Sequence, residues 1–454
     1  MQFLLTCGGH RHRLNPQKYI RGCCCVTNIR QKLREEIRIR RDELVALTQD
    51  LIRMPTLNPP GHGYLEICEY IGRRLKKRGF EIELTRAVDT PGDSDKYPRW
   101  NLVARREGGA IGQCVHFNSH IDVVEVGRGW SFDPFGGELK DGKIYGRGSC
   151  DMKGGLAASI IAVEVFIDLV SDFCGAIEIS ATGDEETGGF GGVAYLAEKG
   201  YFSPQKVQHV IIPEPLNKDR ICLGHRGVWW AQIETKGHIA HGSMPFLGDC
   251  AVRHMGAVLE EMEENLFPAL AERKTEMPVV PEGAKQSTMN INSLHGGLVE
   301  PEEGFDGFPA AIVPDSCKMI IDRRYLIEES PDEVKNEIVD LLEKVKKSRD
   351  KFEYELHEMW QVPPTMTEKD APVVGAVARA IGQVLGRQPQ YVVSPGTYDQ
   401  KHIDRIGRMK NCIAYGPGIL DLAHQPDEYV GVDDMVESGE VMALSLLELL
   451  APGK

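Results

Sequence analysis

The chain has 454 residues, 42% hydrophobic and 26% charged, a balance that matches water-soluble globular proteins and excludes low-complexity or collagen-like chains. At about 150 residues per domain this length implies two or three domains rather than one core. Acidic residues outnumber basic ones, 67 to 53, and the net charge of -14 argues against a nucleic-acid partner, because a phosphate backbone rewards basic surfaces.

The opening segment, 1–29, carries Cys23-Cys24-Cys25 and the basic stretch His10-Arg11-His12-Arg13. It has no apolar stretch long enough for a signal-peptide core, and it is expected to be a poorly ordered extension rather than a metal or lipid site. No run in the chain approaches the length of a membrane span. The remaining cysteines are irregularly spaced and form no CxxC pair, so a reduced, cytoplasmic protein is expected.

From Asn28 to Arg53 helix formers dominate, with Ile37, Leu44, Leu47, Leu51 and Ile52 on one face, and Pro55 follows. A second helix is predicted over Tyr64–Arg78, closed by Gly79. Strands are predicted at Glu81–Leu84, Asn101–Ala104 and Cys114–Asn118, then a buried helix over Gly154–Leu169, a strand over Gly175–Ser180, a short helix at Gly192–Glu198 and an apolar strand at His209–Pro213. This alternation predicts an α/β fold, a mainly parallel sheet flanked by helices with its functional groups at the carboxyl ends of the strands.

The pattern changes after Gly227. Val228–Thr235 alternates like an edge strand, a helix is predicted near Asp249–Asn265, and strands near Ser287–Asn292 and Cys317–Tyr325 precede a helix from Pro331 to Ser348 capped by Ser330. This is an α+β arrangement ending near Gln361. Buried α/β character then returns, with a helix over Ala371–Leu385, strands near Tyr391 and Ile413, and a closing helix over Asp433–Leu450. One α/β domain formed by 30–226 and 362–454, interrupted by an inserted α+β domain over 227–361, explains the break.

Three segments carry candidate site residues, two after predicted strands and one before a predicted helix. His120-Ile121-Asp122 spaces two residues on the same side of an extended chain, which lets Asp122 hold the ring of a metal-bound His120. Asp151 stands between glycine-rich turns and a helix start, where it suits either a helix cap or a bridging metal ligand. Glu185-Glu186 places two carboxylates at a strand end pointing different ways, so that one can bind a metal while the other handles a proton.

These segments, together with Pro213-Glu214-Pro215 and Gly416-Pro417-Gly418 followed by His424 and Asp427-Glu428, resemble in order the motifs of a family of co-catalytic metallohydrolases. That family comprises acetylornithine deacetylase, succinyl-diaminopimelate desuccinylase, aminoacylase and carboxypeptidase G. The resemblance runs from about Arg30 to the C-terminus. It implies that His120, Asp151 and Glu214 hold one metal while Asp151, Glu186 and His424 hold a second, with Asp151 bridging. It makes Glu185 the general base and Asp122 the residue that orients His120. The expected cofactors are two divalent ions, zinc first, with cobalt or manganese also suited to a carboxylate-rich site.

Gly237–Pro245 resembles the family's Gly-x-x-x-His-x-x-x-Pro segment, which makes His241 an oxyanion donor reaching into a partner subunit and implies a homodimer formed through the inserted dimerisation or lid domain. Arg324 and Asn292, with Asn290 as an alternative to Asn292, match positions that hold a substrate carboxylate or oxyanion. Gly396 and Thr397 resemble a substrate-binding loop. The implied reaction is hydrolysis of a small amide, either removal of an acetyl- or succinyl-type group from an N-acyl amino acid or cleavage of a dipeptide. A binding relative without catalysis is the third reading, and the filled base and ligand positions weigh against it.

Overall fold

The computed structural model describes residues 29–297 and 310–453; most of the opening segment therefore lies outside the described residues. The first helical stretch breaks at Arg40 into two pieces, 29–39 and Arg41–Ile52. Leu33, Ile37, Leu44, Leu47, Leu51 and Ile52 face the core from both. The helix Tyr64–Lys76 buries Ile67, Cys68, Ile71, Gly72 and Leu75, the spacing of one helical face, and a Cβ at Gly72 would touch the Ile82 and Leu102 side chains of the sheet beneath.

That sheet has nine strands. In spatial order eight of them are Glu81–Arg86, Trp100–Glu107, Cys174–Thr182, Ala110–His120, His209–Ile212, Cys412–Ala414, Arg220–His225 and Thr365–Met366, while Gln390–Ser394 adds to Arg220–His225. The centre is parallel and the flanks are antiparallel, except that Gln390–Ser394 joins Arg220–His225 in parallel. Side chains alternate between two cores. Val115, Phe117, Ile177, Ile179 and Ile211 pack with the helices Gly154–Leu169, Pro372–Leu385 and Val432–Leu450, whereas Cys114, Ala176, Val210 and Ile212 pack with Val193, Leu196, Phe202 and Ile403 on the other face. Covering both faces is what a parallel sheet requires. The helix Gly154–Leu169 is buried from Gly154 to Ile167, so it is apolar all round rather than striped.

A second sheet has four strands in the order Thr288–Gly296, Ser316–Tyr325, Gly227–Lys236, Glu353–Val362, all antiparallel. Gly227–Lys236 is therefore an interior strand, not the edge strand expected. Its alternation reports one covered face: Trp229, Ala231 and Ile233 are buried with Met255, Val258, Ile338 and Leu342 of two helices, while Trp230 and Gln232 point the other way. The helix Pro331–Ser348 begins at a reciprocal capping box, in which Ser330 Oγ accepts from Glu333 N and Glu333 Oε2 accepts from Ser330 N. A third, small sheet joins Glu138–Lys140, Lys143–Tyr145 and Tyr429–Gly431 beside the carboxyl edge of the large one. Among the described residues no helix is long and apolar enough to cross a membrane.

Candidate metal centre

His120 ends its strand, two residues later than expected, and Asp184–Glu186 and Glu214 follow the parallel neighbours Cys174–Thr182 and His209–Ile212. Parallel register thus delivers an imidazole and several carboxylates to one edge. Asp151 arrives from the turn that starts the helix at Gly154. Two glycines make that arrival possible. Gly148 has φ of 80°, and a Cβ on Gly155 would lie 1.9 Å from the Pro213 carbonyl oxygen, so only a bare backbone lets the turn close on the Pro213-Glu214 strand end.

The turn is fastened by a pair that acts as a clasp. Glu428 Oε1 accepts from the amides of Cys150 (2.9 Å) and Asp151 (3.1 Å), and its Oε2 accepts from Arg147 Nη1 at 2.6 Å. Arg147 also donates to the carbonyl of His424 at 3.2 Å. One buried ion pair therefore ties the Asp151 turn to the His424 loop, which explains why Asp427-Glu428 follows His424 in the sequence pattern.

The Glu185–Thr187 turn is held between left-handed Asp184, φ 65°, and Gly188, φ 109°. Asp122 fixes it from below: its Oδ1 accepts from Glu185 N and its Oδ2 from Glu186 N, both at 3.1 Å, and Asn58 Nδ2 donates to Oδ2 at 2.8 Å. The His120 ring is oriented chiefly by the Asp122 backbone, because Nδ1 donates to the Asp122 carbonyl at 3.0 Å while the nearest carboxylate oxygen is 3.6 Å away. That tautomer leaves Nε2 facing Asp151 Oδ1 at 3.0 Å.

Two groups of donor atoms result, His120 with Asp151 and Glu214, and Asp151 with Glu186 and His424, each within 4.8 Å and sharing Asp151. Within the second, His424 Nε2 is 3.1 Å from Glu186 Oε1 and 3.6 Å from Asp151 Oδ2. Electrostatics describe a crowded anionic site. Burial, then the charge of Asp151, pushes Glu214 well above the usual carboxylate range, and burial lifts Glu186 to about 7. The hydrogen bond to Glu186 lifts His424 to about 9. Asp151 is pulled below its ordinary value because its contacts with His120 and His424 outweigh burial. Nitrogen and carboxylate donors on both sides of one shared carboxylate, strained by their own repulsion, fit a pair of divalent cations.

Glu185 stands apart from these groups. Its Oε1 accepts from Lys401 Nζ at 2.7 Å, and Lys401 is buried. The sequence pattern gave no sign of Lys401, since a lysine that is buried looks like any other in the one-letter string. The same holds for Asn58 and for Asp399, whose Oδ2 accepts from Asn118 Nδ2 at 2.8 Å.

The remaining expected residues lie elsewhere. His241 is exposed on the two-residue strand Ala240–His241, paired with Ile312–Val313, and its Nδ1 accepts from Ser243 N (3.1 Å) and pairs with Ser243 Oγ (2.8 Å). No hydrogen bond joins it to the ligand groups of its own chain. Arg324 forks onto Asp322 at 2.7 and 3.0 Å, and Asn292 Oδ1 accepts from Asn290 at 2.8 Å beside a bulge in the strand Thr288–Gly296. Gly396 and Thr397 are half-buried on the loop between Ser394 and Asp399, with Gly396 N donating to Ser394 Oγ at 3.2 Å.

The model of peptidase family M20/M25/M40 matches residues 116–448, and this span includes every residue of the two ligand groups. The chain belongs to that family. A succinyl-diaminopimelate desuccinylase of Methylorubrum extorquens is 30% identical over 400 residues, covering 86% of this chain and 94% of the relative. Among solved structures, human carnosine dipeptidase 1 superposes with a TM-score of 0.72 at 20% identity, covering 93% and 98% of the two chains. A dinuclear metal-binding M20 peptidase of Bacillus subtilis gives 0.64 at 16% identity, over 91% and 99%. These likenesses establish the M20 fold, and family membership makes this M20 chain a metal-dependent hydrolase of amide bonds.

Proposed function

We propose that the protein removes an acetyl- or succinyl-type acyl group from a small N-acyl amino acid. The observation that carries this reading is the pair of donor groups sharing Asp151, with the separate carboxylate of Glu185 beside them. His120, Asp151 and Glu214 would hold one cation and Asp151, Glu186 and His424 the other, with zinc the first expectation. Two divalent cations held there would supply Lewis acidity for the acyl carbonyl and lower the pKa of the attacking water. Glu185 takes the proton of that water and returns it to the leaving amine. The amides of Glu185 and Glu186, both held by Asp122, keep base and ligand apart in their separate tasks.

Arg324, whose planar fork is held by Asp322 here, would exchange that partner for a substrate carboxylate, and Asn292, Gly396 and Thr397 are the further substrate-binding residues of this reading. His241 has no ligand group within hydrogen-bonding reach in its own chain, which supports a homodimer through 227–361 in which it serves the partner's site as an oxyanion donor. The M. extorquens relative is named as a desuccinylase, and this supports an acyl amide over a dipeptide as substrate.

The test is a panel of N-acetyl and N-succinyl amino acids and of dipeptides, assayed with zinc- or cobalt-loaded protein. Preferential turnover of acyl amino acids is expected, and preferential turnover of dipeptides would replace this reading with a dipeptidase. Glu185→Gln should keep its metals while losing about 10²- to 10⁴-fold in kcat, the usual worth of a positioned base.

A further inference from the structure

Lys401 is 3% exposed, and its ammonium is directed at Glu185 Oε1, 2.7 Å away, in what is the only side-chain hydrogen bond of Glu185 among the described residues. Taking an ammonium out of water is costly, so a residue needed only to fill space there would be served better by an apolar chain. The placement is also reinforced from behind. Lys401 belongs to the short helix Gln400–Arg405, and Asp399, just ahead of it and 1% exposed, adds a second buried carboxyl group on the same side. Asp399 is itself anchored across the sheet: Asn118 Nδ2 donates to its Oδ2 at 2.8 Å, and Asn118 Oδ1 accepts from Ser180 Oγ at 2.7 Å.

Glu185, in contrast, hangs from a short turn and has a side chain with three rotatable bonds. Its amide is fixed by Asp122, but that leaves the carboxylate free to swing. A misplacement of about 1 Å in a reacting group costs on the order of 10²-fold in rate.

We propose that Lys401 is a positioning residue that clamps Oε1 of Glu185, so that Oε2 alone is presented to the attacking water. The inference rests on Glu185 being the general base. The proton balance is simple: the water proton goes to Oε2, Lys401 stays an ammonium throughout and continues to donate to Oε1, and the same proton leaves with the amine. Nothing on Lys401 is consumed.

The experiment compares Lys401→Met, Lys401→Arg, Glu185→Gln and the double variant Glu185→Gln/Lys401→Met in the full-length, metal-loaded protein. Metal content, the visible spectrum of the cobalt form and thermal melting accompany the kinetics. Lys401→Met should lower kcat about 10²-fold with KM within about twofold. It should keep both metals and an unchanged cobalt spectrum, and Lys401→Arg should recover most of kcat. Because the clamp acts only through Glu185, the double variant should be no slower than Glu185→Gln alone. A raised KM with unchanged kcat would make Lys401 a substrate-binding cation and overturn the proposal. So would a double variant much slower than Glu185→Gln, or metal loss in Lys401→Met that Lys401→Arg does not repair. If Glu185→Gln itself kept full turnover, the general-base reading would fail instead, independently of Lys401.

Discussion

Asp151 is the one residue common to both donor groups, and its neighbours differ in how firmly they are built in. His120 and Glu214 are buried behind strand ends, whereas His424 is 48% exposed on a loop with φ of 64°. Metal stoichiometry should follow that difference. Asp151→Ala is expected to bind fewer than one zinc per chain, since both groups lose a ligand, while His424→Ala should retain about one at the better-built His120–Glu214 side. Elemental analysis after dialysis against limiting zinc checks both, and equal losses in the two variants would show that Asp151 does not bridge. At this scale the grouping of donor residues was legible wherever one lay beside a strand end or a glycine pair, as for His120, Asp151, Glu186 and Glu214. The sequence was silent on Lys401, Asn58 and Asp399, whose roles come from being buried against distant partners.

Periodicity carried much of the element-scale pattern. The helices Gly154–Leu169 and Pro331–Ser348 begin and end where the apolar pattern and Ser330 place them, because caps and continuous burial are local properties. The strands Arg220–His225 and Glu353–Val362 escaped notice for opposite reasons. The first is a short apolar run, Ile221-Cys222-Leu223, without periodic contrast, and the second is mostly polar because it is an edge with one open face. The same logic corrects the strand Gly227–Lys236, whose alternation reveals a half-covered sheet and says nothing about edge position. The capping box at Ser330 gives a direct measure of local stability. Ser330→Ala leaves the first-turn amide of Glu333 without its partner, and should lower the unfolding free energy by about 1 kcal/mol in urea titrations. Catalysis by the distant metal centre should be unaffected, and a change in kcat without a change in stability would contradict that separation.

At the scale of the whole molecule, acid stability should be governed by histidines that are buried as neutral rings and belong to neither ligand group. Burial pushes His209 and His225 down to about 4, and burial with the charge of Lys401 pushes His402 to about 3. His209 lies at the amino end of its strand, between Asn411 and Gln113, His225 ends an antiparallel strand two places away in the sheet, and His402 lies on the helix Gln400–Arg405, so the effect is shared by several elements. In the unfolded chain each would titrate near 6.5. A depressed folded value means the folded state refuses a proton that the unfolded state accepts. The stabilisation is therefore complete above about 6.5 and is lost as pH falls toward the folded values. In chelator-treated protein, which removes metal release as a competing cause, the unfolding free energy should decline steadily from about pH 6.5 to 4.5. His209→Gln keeps a polar side chain between Asn411 and Gln113 but cannot take up a proton. Its curve over that range should be shallower than the parent's, by up to one proton in the slope. Parallel curves would mean that the acid sensitivity of this fold arises from its carboxylates, not from the imidazoles buried in its sheet.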